Sequence, residues 1–293
     1  MPALPALLLM HGVGDDGACF GPFVRRLRER AGLGGLTVST PDAPAHGGRR
    51  SAPGQTIGWP DLLADAIAAA EALVAQSGGP IVVGGHSMGS MVALGVAANR
   101  PDLVVATWLE DPPLMDALPE GLHKGEALPS QGSTPTPTSA PAPEGVGAHN
   151  SAHSQDPPAP VDVSEFGDWF AALQSIALDE VIAAARADHP NWDDDEYEPW
   201  ARAKQAVDPD AFREPVVWVH ADTERLLRLA PAPVVVAAGL PELGGLVAPQ
   251  AEHSLRALPG WSVHRLHTGH DVRRDAPDAT VDLLADLIHS VTR

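Results

Sequence analysis

Along the first 110 residues, short wholly apolar runs alternate with longer stretches of helical periodicity, and this alternation constrains the fold more than any other feature. Leu7–Met10 is a continuous apolar run, as expected of a strand buried on both faces. Phe20–Ala31 follows with helical spacing and a basic outer face (Arg25, Arg26, Arg28, Arg30), closed by Gly32. Leu36–Thr40 predicts a second strand, stopped by Pro41. Within Asp61–Gln76, Leu62, Leu63, Ala66, Ile67, Ala70, Leu73 and Val74 form a stripe of helical period. Ser77-Gly78-Gly79-Pro80 ends it. Ile81–Val83, Met88–Asn99 and Leu103–Leu109 continue as strand, helix and strand. Strands joined by helices at this spacing lie parallel, connected by right-handed crossovers. The alternation returns with the strand Val234–Ala238, the helix Pro249–Ala257, the strand Ser262–Leu266 and a last helix around Val281–Val291. Pro215–Leu229 reads equally as strand or helix.

Two segments interrupt this pattern. Pro119–Pro160 holds nine prolines and five glycines, with only Leu122, Leu128 and Val146 as large apolar residues. It cannot bury enough surface to offset its ordering entropy and is expected to be a disordered insertion. Phe166–Trp200 then carries six of the chain's 13 aromatic residues and reads as helical. Its acidic run Asp193-Asp194-Asp195-Glu196 suits a first helical turn, where acids satisfy free N–H groups and the helix dipole, better than a metal site. The expected organisation is an α/β core over 1–111, a Pro/Gly/Ser-rich insert over 112–165, a helical cap over 166–230 and a second core part over 231–293.

Composition excludes several classes. The 293 residues are 44% hydrophobic, enough for a sizeable core. With 38 acidic against 19 basic residues, the net charge of −19 argues against nucleic acid or an anionic membrane as partner, since both depend on Lys/Arg neutralising phosphates. One cysteine, Cys19, cannot form an intramolecular disulfide or a thiolate metal cluster. The apolar start lacks a basic flank and a small-residue cleavage site, and no apolar run is long enough to span a bilayer. A cytoplasmic protein with no metal and no cofactor is expected.

The chemistry is concentrated in Gly85-His86-Ser87-Met88-Gly89, directly after one strand and before a helix. A serine on so sharp a strand-to-helix turn sits in strained backbone, and its neighbours two residues away on either side must be glycine. The helix N-terminus behind Ser87 supplies N–H groups where an oxyanion would form. The competing reading is an ordinary helix-capping serine.

These residues resemble the α/β-hydrolase family, and the resemblance extends over Ala6–Asp111 and Pro233–Val291. Leu7–Gly14 looks like the family's strand and His-Gly turn; the resemblance implies that the Val13 and Met88 N–H groups form the oxyanion hole. Pro41–Gly47 is similar to its D-x-P-G-H-G loop, with Ala45 in place of glycine. Thr268-Gly269-His270 looks like the loop that presents the catalytic histidine. His270 lies after the last strand, in the chain order serine, acid, histidine; His11 and His46 belong to turn motifs, and His264 and His267 lie on or beside the strand. The acid departs from the family pattern, because Leu240 stands after Val234–Ala238 where an aspartate is expected. Asp111, at the tip of the fourth strand, is the favoured substitute, with Glu110 and Glu242 as alternatives. About six residues precede the His-Gly strand where the family has two antiparallel strands, so either the start is truncated or one sheet edge is missing, leaving an exposed edge.

The resemblance implies an α/β-hydrolase fold, a mostly parallel doubly wound sheet with a helical cap after the fourth strand. The implied activity is hydrolysis of a small-molecule ester by Ser87, His270 and Asp111. Carbon–carbon bond hydrolysis, acyl transfer or cofactor-free haloperoxidation could use the same site. A different class, a non-catalytic binding protein with a degraded triad, is suggested by Leu240.

Overall fold

The computed structural model describes residues 4–52, 55, 57–114, 164–212 and 222–292. The Pro/Gly-rich segment 119–160 and the start of the ambiguous 215–229 segment lie outside them. In chain order the elements are β1 (Leu7–Met10), α1 (Gly21–Glu29), β2 (Val38–Ser39), α2 (Trp59–Ser77), β3 (Ile81–His86), α3 (Met88–Asn99) and β4 (Val104–Glu110). Then follow α4 (Ser164–Gln174), α5 (Leu178–Asp188), α6 (Asp194–Ala206), α7 (Thr223–Leu229), β5 (Val234–Ala238), α8 (Pro249–Arg256), β6 (Trp261–Arg265), α9 (Val272–Asp275) and α10 (Pro277–Ser290).

The strands form one sheet in the order β2-β1-β3-β4-β5-β6, and every neighbouring pair is parallel. The chain moves outward from β1 to β2 and then crosses back over β1 to β3. The winding direction therefore reverses between β1 and β3, and in an open parallel sheet a crevice forms at the carboxyl ends of the strands at such a reversal. The sheet edge beside β1 is the two-residue β2, much shorter than the Leu36–Thr40 run suggests. A short edge offers little unpaired backbone to other chains.

β3 runs three residues beyond its apolar run. Gly84, Gly85 and His86 stay in register with Trp108, Leu109 and Glu110 of β4. Glycine is a poor strand former by itself, but the neighbouring strand requires it: a methyl on Gly84 would lie 2.9 Å from Trp108 Cβ. Alternate residues along the strands point to opposite layers. Leu7, Leu9, Val82 and Trp108 pack in the apolar cluster that contains residues of α1 and α10. Leu8, Met10, Val83 and Leu109 pack in the cluster that contains residues of α2, α3 and α8. α3 lies on β3 and β4 between α2 and α7, and residues Met88 to Ala98 are all buried, so it carries no polar face.

Between β4 and β5 the described chain is helical. α4 packs on α6 and on the turn Pro209–Phe212, and α6 reaches the turn Gly17–Phe20 beyond β1. The aromatic segment is thus helical, as its pattern suggests, and forms three helices. Its acidic run does open α6, but Asp193 makes no side-chain capping bond, which corrects the expectation that these acids serve the free N–H groups. Asp193 pairs with Arg26, Asp195 with Arg25, Asp194 with Arg186 at 2.5 Å and Glu196 with Arg274 at 3.4 Å. Of the basic face of α1, Arg25 and Arg26 thus pair with the start of α6, whereas Arg30 pairs with Asp278 and Asp282 of α10. No described helix is long and apolar enough to cross a membrane.

Trp108 is 1% exposed and touches both Gly84 and the α1 layer. Trp108→Ala is expected to lower unfolding stability by about 3–5 kcal/mol, measured as a fall in the urea midpoint at unchanged slope.

Candidate active site

Ser87 occupies the link between β3 and α3 with φ 53° and ψ −120°, a backbone region that a residue with a side chain adopts only under strain. The reason is the closeness of three backbone segments. A methyl on Gly85 would overlap the Gly89 carbonyl, and one on Gly89 would overlap the carbonyls of Met10 and His11. Glycine at both positions lets α3 start directly against β1. Ser87 makes no capping bond to α3, so its hydroxyl is not committed to the helix. It is 6% exposed, at the carboxyl end of the strand where the winding direction reverses.

His270 follows β6 in the Thr268–His270 turn. Its Nδ1–H donates to Asp111 Oδ2 at 2.7 Å. Asp111 ends β4, is fully buried and has φ 40°. Its carboxylate also accepts from Gly239 N–H at 3.1 Å and Leu246 N–H at 2.8 Å. The turn after β5, where Leu240 stands, thus supplies amides that hold Asp111 rather than a carboxylate of its own. Glu110, one residue earlier, points to the other side of the sheet, where its Oε1 accepts from the Arg273 N–H at 2.9 Å and from its guanidinium at 3.3 Å. Glu242 lies exposed on the turn Pro241–Leu243. Of the three candidate carboxylates the fold brings Asp111 to His270. Burial alone would lower the pKa of His270; its hydrogen bond to Asp111 and the charges of Asp111, Asp271 and Glu110 outweigh it, and the pKa lies above 6.5.

The turn after β1 lies against the serine. A methyl on Gly12 would come 3.1 Å from Ser87 Cβ and 2.9 Å from His86 Nδ1. The Gly12–Val13 peptide is held from its carbonyl side: Gly12 O accepts from His11 Nδ1–H at 2.9 Å and from Asp15 N–H at 3.2 Å. In a trans peptide the N–H points opposite to the C=O, so these bonds also aim the Val13 N–H. His11 Nε2 accepts in turn from Ala43 N–H at 2.9 Å, and burial keeps the ring's pKa low. Met88 is the first residue of α3, so its N–H has no acceptor within the helix. His46 is likewise internal, its Nδ1–H on Pro44 O at 2.9 Å and its pKa pushed down to about 3 by burial. Beside the serine turn, a small open crevice is lined by Met10, His11, Asp42, Leu62, Met88 and Val92. It reaches Met88 and Gly89 but not the side chains of Ser87 or His270.

Sequence reasoning missed two features. The first is His86, inside the serine pentapeptide. Its Nε2–H donates to His270 O at 3.1 Å, and the rings are 4.6 Å apart. Burial, then the charges of Arg273 and His270, hold its pKa well below 6.5, so it stays a neutral strut. The second is a buried charge cluster around Asp15. Lys204 of α6, Arg273 and Arg274 of α9 all donate to this one carboxylate, at 2.8, 2.8 and 3.0 Å. Burial would raise the Asp15 pKa; Arg274, Lys204 and Arg273 together hold it well below the usual carboxylate range. The only sequence signal was a lysine in a chain with two and an Arg-Arg pair three residues after His270, and neither carries a partner on its face.

A family model described as the alpha/beta hydrolase family matches residues 7–283. Lipase LipV of Mycobacterium tuberculosis (strain ATCC 25618 / H37Rv) is 38% identical over 112 residues, which are 38% of this chain and 39% of the lipase. The match thus spans about two fifths of that curated relative's length. Among solved structures, the N-formylmaleamic acid deformylase of Pseudomonas putida S16 superposes with a TM-score of 0.67 at 16% identity, covering 97% of this chain and 93% of the other. A thermophilic esterase from Thermogutta terrifontis gives 0.57 at 16% identity, covering 100% and 92%. At such identities the likeness is one of fold.

Gly89→Ala forces a methyl into the β1 backbone and is expected to lower stability by about 3 kcal/mol or more. Urea unfolding followed by tryptophan fluorescence measures it.

Proposed function

Because the chain belongs to the alpha/beta hydrolase family, we propose that it is a serine hydrolase of small-molecule carboxylic esters, acting through Ser87, His270 and Asp111. The observation that carries this reading is the 2.7 Å contact between His270 Nδ1 and Asp111 Oδ2, which fixes the imidazole with Nε2 as its basic nitrogen. Ser87 Oγ attacks the ester carbonyl carbon while His270 Nε2 takes its proton. The oxyanion accepts from the Val13 and Met88 N–H groups, each such donor being worth roughly 3 kcal/mol. On collapse the alcohol leaves with the proton from His270. Water, deprotonated by the same nitrogen, then attacks the acyl-enzyme, releasing the carboxylic acid and restoring Ser87. The single cysteine, buried Cys19, fits a cytoplasmic setting, and the strong negative charge favours small neutral substrates over polyanionic partners.

Leu240 suggests a binding protein only while no carboxylate reaches His270, and Asp111 does reach it. Carbon–carbon hydrolysis would use the same groups, and a panel of β-diketones alongside aryl esters separates the two.

Short-chain aryl esters and a fluorophosphonate label test the reading. Wild type is expected to label and turn over; Ser87→Ala should do neither. Asp111→Asn should lose about 10⁴ in kcat, the scale seen when such an acid is neutralised, whereas Glu242→Gln should stay within about twofold of wild type, since exposed substitutions away from a site change little. A wild type that neither labels nor cleaves any ester sinks the proposal.

Only neutral imidazole can accept the Ser87 proton, so kcat/KM should rise with pH and level off above a midpoint higher than 6.5. Substituting Asp111 removes the charge that raises His270, so the residual activity of Asp111→Asn should show a lower midpoint. A stopped pH–rate profile reads both.

A further inference from the structure

Asp15 lies two residues beyond Val13, and each end of the residue grips something different. Its N–H donates to Gly12 O at 3.2 Å, on the peptide whose N–H is that of Val13. Its carboxylate is 4% exposed and gathers the three cations that are buried among the described residues. Each cation leads elsewhere. Lys204 comes from α6 and also donates to Gly14 O at 3.1 Å. Arg273 runs on to Glu110, the neighbour of Asp111, at 3.3 Å. Arg274 runs on to Glu196 of α6 at 3.4 Å and to Asp271, next to His270, at 2.5 Å. Phe170 of α4 closes over the turn as well: a methyl on Gly14, at φ 79°, would lie 2.8 Å from its ring.

We propose that Asp15 is a positioning residue for the serine-hydrolase site, clamping the Gly12–Val13 peptide to the His270 loop and to α6 through a buried carboxylate. This rests on the reading of Ser87, His270 and Asp111 given above. Three segments are tied together by this cluster: the turn after β1, the end of β4 and the segment after His270. A solvent-exposed ion pair could not do this, because its side chains move and salt screens it. A buried carboxylate with three charged donors has one arrangement that satisfies them all, and losing it takes from buried Lys204 the carboxylate it is paired with. The constraint is geometric; Asp15 touches neither substrate nor the reacting atoms.

Asp15→Asn and Lys204→Met test this in the full-length protein. Active sites are counted by fluorophosphonate titration, so that kcat is expressed per competent serine and loss of folded protein does not register. Misplacing a positioned group by about 1 Å loses on the order of a hundredfold in rate. Asp15→Asn should therefore lose between about tenfold and a hundredfold in kcat per titrated site, with KM changed less than about threefold. Lys204→Met, which keeps two of the three donors, should lose less in the same direction and serves if Asp15→Asn does not fold. A second readout needs no substrate: the far-downfield proton NMR signal of His270 Nδ1–H, bonded to Asp111, should shift or broaden in both variants. It should stay in place in Asp195→Asn, which removes only an exposed pair with Arg25. Unchanged kcat per site together with an unchanged proton signal would show that Asp15 only stabilises the fold, and would overturn the proposal. A wild type with no hydrolytic activity but a proton signal that moves in Asp15→Asn would defeat the enzymatic reading while leaving the clamp standing.

Discussion

The carboxyl ends of β1 and β3 approach so closely that no side chain fits between them, and the candidate site depends on that approach. Gly85 and Gly89 run directly against the carbonyls of Met10 and His11. The contact sets the turn after β1 beside Ser87 and starts α3 at the serine. Two neighbouring strand ends are bent to achieve this: Ser87 at φ 53° on β3 and Asp111 at φ 40° on β4. Backbone of this kind costs roughly 1–3 kcal/mol per residue and persists only where the surroundings over-determine it. Here those surroundings are α3, buried along its length, and the amides of Gly239 and Leu246 that grip the Asp111 carboxylate.

Charge has two separate roles in the molecule. On the outside, α1 and α6 meet through arginine–aspartate pairs that are partly exposed, such as Arg25 with Asp195, each worth little by itself. Inside, Lys204, Arg273 and Arg274 face Asp15, Glu110, Glu196 and Asp271. Burying so many charges is poor value for stability when compared with apolar packing. Its consequence is specificity of arrangement, because each charge has few acceptable neighbours in low dielectric. Burial raises the Glu110 pKa even beside Arg273, whereas Asp15 with three cations is driven the other way; the same interior treats a carboxylate according to how many donors reach it.

Most elements were legible because each is decided by its own residues. Apolar runs and the helical stripe of α2 placed strands and helices within a few residues. The misses have a common cause. β3 extends through Gly84 and Gly85 because Trp108 across the ladder demands small residues there. β2 is only two residues long because it pairs with β1 at Leu7 and Leu8 alone. Asp193 to Glu196 open a helix as their pattern suggests, yet their carboxylates go to arginines of α1, α5 and α9. His86 holds the backbone of His270, a partner 184 residues away that its place in the serine pentapeptide does not show.

By itself the sequence determined the parallel α/β core, the serine turn and the histidine loop. Each rests on short-range constraints: the pattern of burial along a strand, the strain of a tight turn, the order of elements. Ser87 needed Gly85 and Gly89 within two residues, and that requirement is written locally. Only the tertiary structure decided which carboxylate meets His270, bringing Asp111 rather than Glu110 or Glu242 to it. Asp111 and Glu110 are adjacent in the chain but leave β4 on opposite faces, and the partner of Asp111 lies 159 residues away. The Asp15 cluster was likewise invisible, since a carboxylate shows nothing in sequence of the cations that folding will bring to it.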